Sequence, residues 1–222
     1  MPSPFSEDAD HEGYNNLKPI SFKNIQAEKS YGGNADVIFK TSIGNISLTV
    51  DQLFFYTYLN KPLVLHDNSF VNAKGYIDTK GAETNLKFGL GELNLYIGYT
   101  YTDTRQHYDT QDLWQPLTPK HLLYTDLAYE DENNFRTGIE ADYISEQRLT
   151  DGTRGKGYIV TSFLFEKIWK YLNVYINAEN FTDQRQTKWG SIYTGAITTP
   201  TFKEIYAPLD GIVINTGLKI KL

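Results

Sequence analysis

The chain has 222 residues, a net charge of -6 and no cysteine. This length suits one sizeable domain, the absence of cysteine excludes disulfides and thiolate metal sites, and the acidic balance argues against nucleic-acid binding. No stretch of 18 uncharged apolar residues occurs, which excludes a transmembrane helix. The 14% aromatic content, with 17 Tyr, is instead typical of strands whose two faces meet different solvents.

Residues 1–19 are polar, acidic and interrupted by proline, and we expect an extracellular loop remnant there. The acidic run from Glu7 to Glu12 is interpreted as a solvated segment rather than a cation site. The first residues carry neither a cationic region nor an apolar stretch, so no export signal is predicted; for an exported protein, the front end would be missing. No metal or cofactor is expected.

From residue 22 onward, apolar and polar residues alternate with a period of two, which is the pattern of β-strands. The alternation is clearest from Leu93 to Thr102 and breaks once, at Gln52. The pair Gly32 and Gly33 predicts a bulge or kink in the first strand. Nine strands are predicted, at residues 22–43, 46–60, 71–88, 93–102, 123–129, 135–143, 158–169, 172–181 and 208–222.

The joints between these strands alternate strictly between tight and long. The tight joints lie at 44–45, 89–91, 131–134 and 170–171, and the long ones at 60–69, 103–119, 149–157 and 184–207. Outer-membrane barrels have short periplasmic turns and longer external loops, so the alternation predicts this topology with the C-terminus in the periplasm. The Gly-rich loop at 149–157 does not lead from a strand into a helix, which argues against a phosphate-binding loop.

An odd number of strands has a consequence for closure. The first and last strands run in the same direction and would become parallel neighbours in a closed barrel, which bacterial single-chain barrels avoid by having even strand numbers. We therefore predict an all-β, antiparallel meander of about nine long strands that forms part of a transmembrane β-barrel wall and is not a complete closed barrel. The two end strands are expected to be unpaired edges.

Several stretches resemble TonB-dependent outer-membrane receptors, and the Bacteroidota type in particular. They occur in the same order as in that family, at residues 24–30, 51–57, 80–86, 98–103, 117–121 and 177–185 and in the closing strand. The resemblance covers residues 20–222 and implies the C-terminal segment of the receptor barrel. The chain differs from the family in having no plug domain, and in ending on Leu222 where a terminal aromatic residue is usual.

The resemblance implies a function and a set of partners. The function is energised uptake of a scarce solute through the outer membrane; siderophore, cobalamin and oligosaccharide receptors share this wall, and no enzymatic activity is expected. The implied partners are outer-membrane lipid, the plug domain and remaining barrel strands, the TonB energy-coupling system acting through the N-terminal part, and the barrel-assembly machinery.

The same resemblance singles out residues. Candidate solute contacts are aromatic and charged residues of the long joints: Arg105, His107, Trp114, Trp189 and Tyr193. The alternative, that these residues pack the loops or form an interfacial aromatic belt, is favoured for each of them. Residues facing the lumen would contact the plug or water: Glu140, Asp142, Asn177 and Glu179. The terminal strand would carry the assembly signal: Ile214, Thr216, Leu218, Ile220 and Leu222. Trp169 and Tyr171 are expected to anchor the inner interface.

Three alternatives are left open. A small outer-membrane hydrolase could use His66 with Asp67, or His107 with Asp109, to activate water, although adjacent residues of an extended chain point apart and no serine motif accompanies them. An outer-membrane adhesin is a second alternative. The third is a soluble carbohydrate-binding β-sandwich, which would have to cover the apolar face that begins at Leu93.

Overall fold

The computed structural model describes residues 25–66, 69–108 and 111–221, together with Lys18 and Lys23. In this part of the chain the regular structure is β-strand, apart from a 3₁₀ turn at Gln186–Lys188. No helix among the described residues is long and apolar enough to span a membrane. The strands are β1 (Lys29–Ile43), β2 (Ile46–Asn60), β3 (Leu63–His66), β4 (Ser69–Asn72), β5 (Gly75–Leu90), β6 (Leu93–Tyr108), β7 (Gln111–Trp114), β8 (His121–Asp131), β9 (Phe135–Ile144), β10 (Gln147–Arg148), β11 (Arg154–Gly155), β12 (Tyr158–Ile168), β13 (Leu172–Glu179), β14 (Tyr193–Thr194), β15 (Thr201–Phe202) and β16 (Val213–Ile220).

Nine of these strands lie side by side in one antiparallel sheet, in the order β1, β2, β5, β6, β8, β9, β12, β13 and β16. β7 pairs with β6, and the other strands form the separate pairs β3–β4, β10–β11 and β14–β15. Within the described residues β1 and β16 do not pair with each other, so the sheet is not closed. The predicted meander, in which the outer edge of each end strand is unpaired, is confirmed for the described residues.

The chain divides into two compact units. Unit 1 comprises Met1–Gly33, Tyr56–Thr79 and Thr104–Trp114, and unit 2 comprises Asn34–Phe55, Lys80–Asp103 and Gln115–Leu222. Unit 1 contains the β3–β4 hairpin and β7, and unit 2 contains all strands from β8 onward. Strands β1, β2, β5 and β6 contribute residues to both units.

In unit 2, apolar residues of neighbouring strands line up on one face of the sheet. Leu127 pairs with Ile139, Ile139 with Phe163, Phe163 with Ala178, and Ala178 with Ile214. Directly opposed residues of an antiparallel pair share a face, so these five form a continuous apolar row across five strands. The four larger side chains are 42%, 45%, 39% and 62% exposed, in chain order.

This exposure is not compensated by an apolar core in the described part of the chain. The buried hydrophobic residues there are Ala73, Ile168 and Ala207, which are 6%, 7% and 6% exposed. Large side chains such as Phe39, which is 56% exposed, and Leu218, which is 71% exposed, lie on the surface. Since burial of apolar surface is the main favourable term in folding, the apolar face requires a covering that water does not supply.

Two polar side chains on the apolar face, Thr125 and Gln52, form hydrogen bonds within the sheet. The Thr125 hydroxyl donates to the Ala141 carbonyl oxygen at 3.1 Å. The side chain of Gln52 donates through Nε2 to the Glu83 carbonyl oxygen at 2.9 Å and accepts through Oε1 from the Thr84 hydroxyl at 2.6 Å. Gln52, where the sequence alternation breaks, therefore stays on this face without needing water.

The predicted alternation of joints is confirmed by the strand ends. Short joints connect β1 to β2, β5 to β6, β8 to β9 and β12 to β13, and long segments lie between the other neighbours in the sheet. Gly44 and Gly91 take positive φ values of 61° and 57° in two of the short joints. Glycine adopts this conformation without the steric cost that other residues incur.

The long joints contain structure that alternation alone does not predict. The segment predicted as a loop from residue 103 is wrong in part, because β6 continues to Tyr108 and the chain folds back as β7. The closing strand begins at Val213 rather than at residue 208. Backbone oxygens in the preceding segment accept bonds from the adjacent loop instead, since Pro208 accepts from the Gln186 N–H and Asp210 accepts from the Asn180 side chain.

The first strand also differs in detail from the prediction. β1 begins at Lys29, and part of the segment from residue 22 lies outside the described residues. Gly32 and Gly33 lie inside β1. A Cβ atom on Gly32 would lie 2.8 Å from the Tyr56 carbonyl oxygen, so the close approach of β1 and β2 requires glycine at this position.

Candidate functional site

The β6–β7 hairpin of unit 1 brings together three of the five predicted solute contacts. Arg105 pairs with Trp114 and His107 pairs with Asp112, so these side chains belong to strands rather than to a loop. The Arg105 guanidinium carbon lies 3.2 Å from the centroid of the Trp114 ring. A guanidinium over an indole face is a favourable cation–π arrangement, and it fixes both side chains.

His107 is held by groups from neighbouring strands. Its Nε2 lies 2.7 Å from Asp78 Oδ1, and its Nδ1 lies 3.7 Å from Asp112 Oδ1. The imidazole stacks on Tyr76, with 4.5 Å between ring centroids, and Tyr76 in turn contacts Tyr58 at 4.7 Å. His107 is thus the centre of a cluster of aromatic rings and carboxylates.

The same cluster bears on the hydrolase alternative. Asp109 and Asp67, which the alternative pairs with His107 and His66, lie outside the described residues. The carboxylate that bonds His107 is Asp78, which sequence reasoning missed because it is 29 positions away. An aspartate in strand β5 carries no local signal that it will contact a histidine in β6.

A glycine allows the strands of this cluster to approach each other. Gly75 has φ of +148°, and a Cβ atom there would lie 2.0 Å from the His107 carbonyl oxygen and 2.8 Å from Tyr108 Cα. Any side chain at position 75 would therefore displace the backbone of β6. The start of β5 and the end of β6 can be adjacent because residue 75 has no side chain.

The other two predicted contacts, Trp189 and Tyr193, belong to unit 2. The Trp189 ring packs against Tyr158 and Tyr206, with centroid distances of 6.0 and 6.2 Å. This environment corresponds to the loop-packing interpretation of Trp189. Tyr193 lies opposite Phe202 in the β14–β15 hairpin, and these residues are 42% and 66% exposed.

Gln186 organises the long segment between β13 and β16. It is 7% exposed, and its Oε1 accepts from the backbone N–H groups of Tyr206 and Ala207 at 2.9 and 3.2 Å. Its Nε2 donates to the Glu204 carbonyl oxygen at 2.9 Å. The buried amide of Gln186 therefore holds this segment through three hydrogen bonds to the backbone. Sequence reasoning missed this role because a glutamine in a loop carries no signal of the backbone groups that it will bond.

Asp183 fixes the first turn of the same segment. Lys188 Nζ lies 2.7 Å from Asp183 Oδ2, and Arg185 Nε lies 2.8 Å from Oδ1. The Lys188 hydrogen bond, followed by that from Arg185, holds the pKa of Asp183 below its ordinary value. In the β10–β11 loop, hydrogen bonds from the Thr153 hydroxyl and backbone likewise lower the pKa of Asp151.

The polar face of unit 2 is acidic. Asp126 pairs with Glu140 across β8 and β9, and both line a groove of about 310 Å³ with Asp142 and Tyr96. A second groove, of about 820 Å³, is lined by several carboxylates and by the basic side chain of Arg136. The carboxylates include Glu130, Glu166, Glu179 and Asp210. The predicted lumen-facing residues Glu140, Asp142, Asn177 and Glu179 all line one of these grooves. No group of three or more His, Cys, Asp or Glu side chains in the described chain is arranged to hold a metal ion.

The predicted assembly-signal residues lie on the edge strand. Ile214, Thr216, Leu218 and Ile220 pair with Ala178, Ile176, Val174 and Leu172 of β13, so all four share the apolar face. Leu222 lies outside the described residues. Their role in assembly stays a prediction.

The sequence matches no protein-family model and no curated protein. Solved structures do share the fold. The copper transporter OprC aligns with a TM-score of 0.67 and 15% identity, over 91% of this chain and 32% of OprC. The ferric yersiniabactin uptake receptor FyuA from Yersinia pestis aligns with a TM-score of 0.64 and 13% identity, over 88% of this chain and 30% of FyuA. A variant of the ferric enterobactin receptor PfeA from Pseudomonas aeruginosa aligns with a TM-score of 0.62 and 13% identity, over 87% of this chain and 31% of PfeA.

These similar structures are TonB-dependent outer-membrane transporters. The chain spans 30% to 32% of their lengths, and at these identities the likeness concerns the fold. The nine-stranded sheet has the fold of part of the barrel of such receptors.

Proposed function

We propose that the chain forms part of the transmembrane wall of a TonB-dependent outer-membrane receptor that takes up a scarce solute. The observation that carries the proposal is the exposed apolar row from Leu127 to Ile214, opposite an acidic polar face. Hydrocarbon on one side and a water-filled lumen on the other satisfy both faces. The alternation of tight and long joints and the fold likeness to import receptors support the same assignment.

In this proposal the tight joints lie at the periplasmic side and the long joints outside the cell. Residues 20–222 form the barrel segment. The predicted loop remnant at residues 1–19 lies, apart from Lys18, outside the described residues. The edge strands β1 and β16 pair with further strands of the receptor, and the acidic grooves face its plug or water. TonB acts through the N-terminal part of the receptor.

The class of solute is inferred from the similar structures. Two of the similar structures are receptors for ferric siderophores and one is a copper transporter, by their names. A ferric siderophore or a copper complex is therefore the first solute class to test, ahead of cobalamin and oligosaccharides. The β6–β7 hairpin with Arg105, His107 and Trp114, and the exposed Tyr193, are the proposed external contacts.

The membrane part of the proposal is tested by cysteine scanning, which the cysteine-free chain makes simple. Single substitutions Leu127→Cys and Ile139→Cys probe the apolar face, and Asp126→Cys and Glu140→Cys are matched positions on the polar face. In lipid vesicles we expect dyes on the apolar-face cysteines to be quenched by a lipid-embedded quencher, and those on the polar face to be quenched from water. Equal quenching of both faces from water, by a chain that is monomeric in buffer, would favour the sandwich alternative instead.

The transport part needs a separate experiment in cells. Cells that produce the receptor containing this chain should accumulate the correct solute, and deletion of TonB should abolish accumulation. A panel of ferric siderophores, copper complexes, cobalamin and oligosaccharides identifies the class. Accumulation that is equal with and without TonB contradicts the proposal.

A further inference from the structure

The long joint between β13 and β16 is bonded to the long joint between β9 and β12, and both joints lie in unit 2. The Glu204 carboxylate accepts two hydrogen bonds from Thr150. The Thr150 backbone N–H donates to Oε2 at 2.7 Å, and the Thr150 hydroxyl donates to Oε1 at 2.6 Å. Both carboxylate oxygens of a residue in one joint are therefore bonded to a single residue of the other joint.

Tyr206 forms a second connection between the two joints. Its carbonyl oxygen accepts from Gln147 Nε2 at 3.1 Å and from the Tyr158 hydroxyl at 3.2 Å. Its ring lies over Gly155, where a Cβ atom would be 2.6 Å from Tyr206 Cδ2. Because position 155 has no side chain, the ring can pack directly on β11. Gln147 and Gly155 are both buried.

Each joint is also bonded within itself. The Gln186 amide holds the backbone of residues 204, 206 and 207 in the joint between β13 and β16. In the joint between β9 and β12, β10 pairs with β11 and the Leu149 N–H donates to the Thr153 carbonyl oxygen at 3.0 Å. We call residues 147–157 and 186–207 together the cap. Bonds within and between the joints make the cap one connected network.

The cap adjoins one end of the groove of about 820 Å³ on the polar face. The Gln186 N–H donates to the Pro208 carbonyl oxygen at 2.8 Å, and Pro208 and Asp210 line this groove. Glu130 and Arg136, which also line it, pair with each other beside the tight joint between β8 and β9. The groove therefore extends from the tight-joint end of the sheet to the base of the cap.

We propose that the cap opens as one body at this end of the groove, and that the contact between Glu204 and Thr150 is its lock. Segments with solvent-exposed hydrogen bonds open locally at a lower free energy than the strands of a sheet. Hydrogen bonds to an ionised carboxylate are stronger than bonds between neutral groups, so loss of this contact should release both joints together. The cap carries Trp189 and Tyr193, and its opening would move these two predicted solute contacts together.

The cap goes beyond the proposed function, because its opening needs no solute and can be measured on the purified full chain. The measurement is hydrogen exchange, read by mass spectrometry, with the chain in lipid vesicles. In Glu204→Ala we expect exchange to rise roughly 10- to 100-fold in residues 147–157 and 186–207 alike. Exchange in β12 and β13 should stay as in the unsubstituted chain.

The matched control is Glu146→Ala. Glu146 forms its ion pair with Arg154, which lies in the same joint, and both side chains are more than half exposed. Loss of this pair can therefore loosen residues 147–157 only. We expect exchange in residues 186–207 to be unchanged in this variant.

Thr150→Ala tests the lock from the other joint. It removes the hydroxyl bond and keeps the backbone N–H, so exchange in residues 186–207 should rise by a smaller factor than in Glu204→Ala. The double variant should exchange like Glu204→Ala, because both substitutions remove the same contact.

Three results decide against the cap. Faster exchange of residues 186–207 in Glu204→Ala, with residues 147–157 still protected, would show that the joints open independently. An equal rise in β12 and β13 would show that the whole sheet opens instead. A rise in residues 186–207 in the Glu146→Ala control would show a general loosening of the joints. A chain that does not enter vesicles contradicts the proposed function, and the same comparison in detergent then decides on the cap separately.

Discussion

His107 Nε2 lies 2.7 Å from Asp78 Oδ1, across two strands and 29 positions apart in sequence. Both side chains are largely covered, with exposures of 26% for His107 and 17% for Asp78. The bond links β5 to the hairpin that carries Arg105 and Trp114. The external contacts proposed for the solute therefore depend on a residue in another strand.

Asp78→Ala should loosen this hairpin. A hydrogen bond to a charged, partly buried group contributes about 1.5–3 kcal/mol, and its loss should appear as lower stability and faster proteolysis of the β6–β7 segment. Asp112→Ala is the matched control, because Asp112 is 62% exposed and 3.7 Å from His107 Nδ1. It should cost less than about 1 kcal/mol. The same cost for both variants would contradict the assignment.

Gly98→Ala should destabilise the sheet in unit 2. The Tyr124 ring covers Gly98, and a Cβ atom there would lie 2.4 Å from Tyr124 Cε2. Moving the ring should cost about 1–3 kcal/mol, measured as the free energy of unfolding in detergent or vesicles. Gly138→Ala is the control, since its nearest atom would be 3.6 Å away, and it should be neutral or slightly stabilising. Equal effects at both positions would mean that ring coverage is irrelevant.

Gln186→Ala should release the segment between β13 and β16 while leaving the sheet intact. The substitution leaves the N–H groups of Tyr206 and Ala207 and the Glu204 carbonyl without their partner. Each unsatisfied buried group costs about 1–3 kcal/mol, so we expect protease cleavage within residues 186–207 to rise at least tenfold. The neighbouring exposed residue supplies the control, Thr187→Ala, for which cleavage should stay as in the unsubstituted chain.

The turn at Asp183 should weaken in acid. The pKa of Asp183 is lowered by Lys188 and Arg185, so its contribution to stability is complete above the unfolded value and is lost as pH falls through the folded value. Hydrogen-exchange protection of residues 183–188, relative to intrinsic rates, should hold from pH 7 to the ordinary aspartate value of 3.8 and decline below it. Asp183→Asn should lower protection at pH 7 and remove the decline; an unchanged acid profile in that variant would rule out Asp183 as the cause.

The register of unit 2 shows what alternation can predict. Leu127, Ile139 and Phe163 are apolar at odd positions of three predicted strands, and the structure places them opposite one another. A period of two fixes which residues share a face, and tight turns fix which strands are neighbours. These two local properties were enough to predict the antiparallel order with unpaired ends.

The candidate site shows where local patterns stop. The sequence predicts Arg105, His107 and Trp114 as loop residues, whereas the structure places them in β6 and β7. The prediction is wrong because the polar residues of this hairpin show no alternation of apolar and polar positions. Asp78 and Gln186 gave no signal, since their partners lie 29 and about 20 positions away. Contacts at such distances depend on which strands become neighbours.

The strands, their two faces and the alternation of tight and long joints are predictable from the sequence, because each of these follows from contacts between near neighbours in the chain. Only the folded structure shows that His107 meets Asp78, that Gln186 holds the long segment between β13 and β16, and that the Lys221 N–H donates to the Tyr171 carbonyl oxygen. Each of these pairs is separated in sequence and is brought together by the order of strands in the sheet. Hydrogen bonds and charge interactions act over a few ångströms of space, so only the folded chain can specify them.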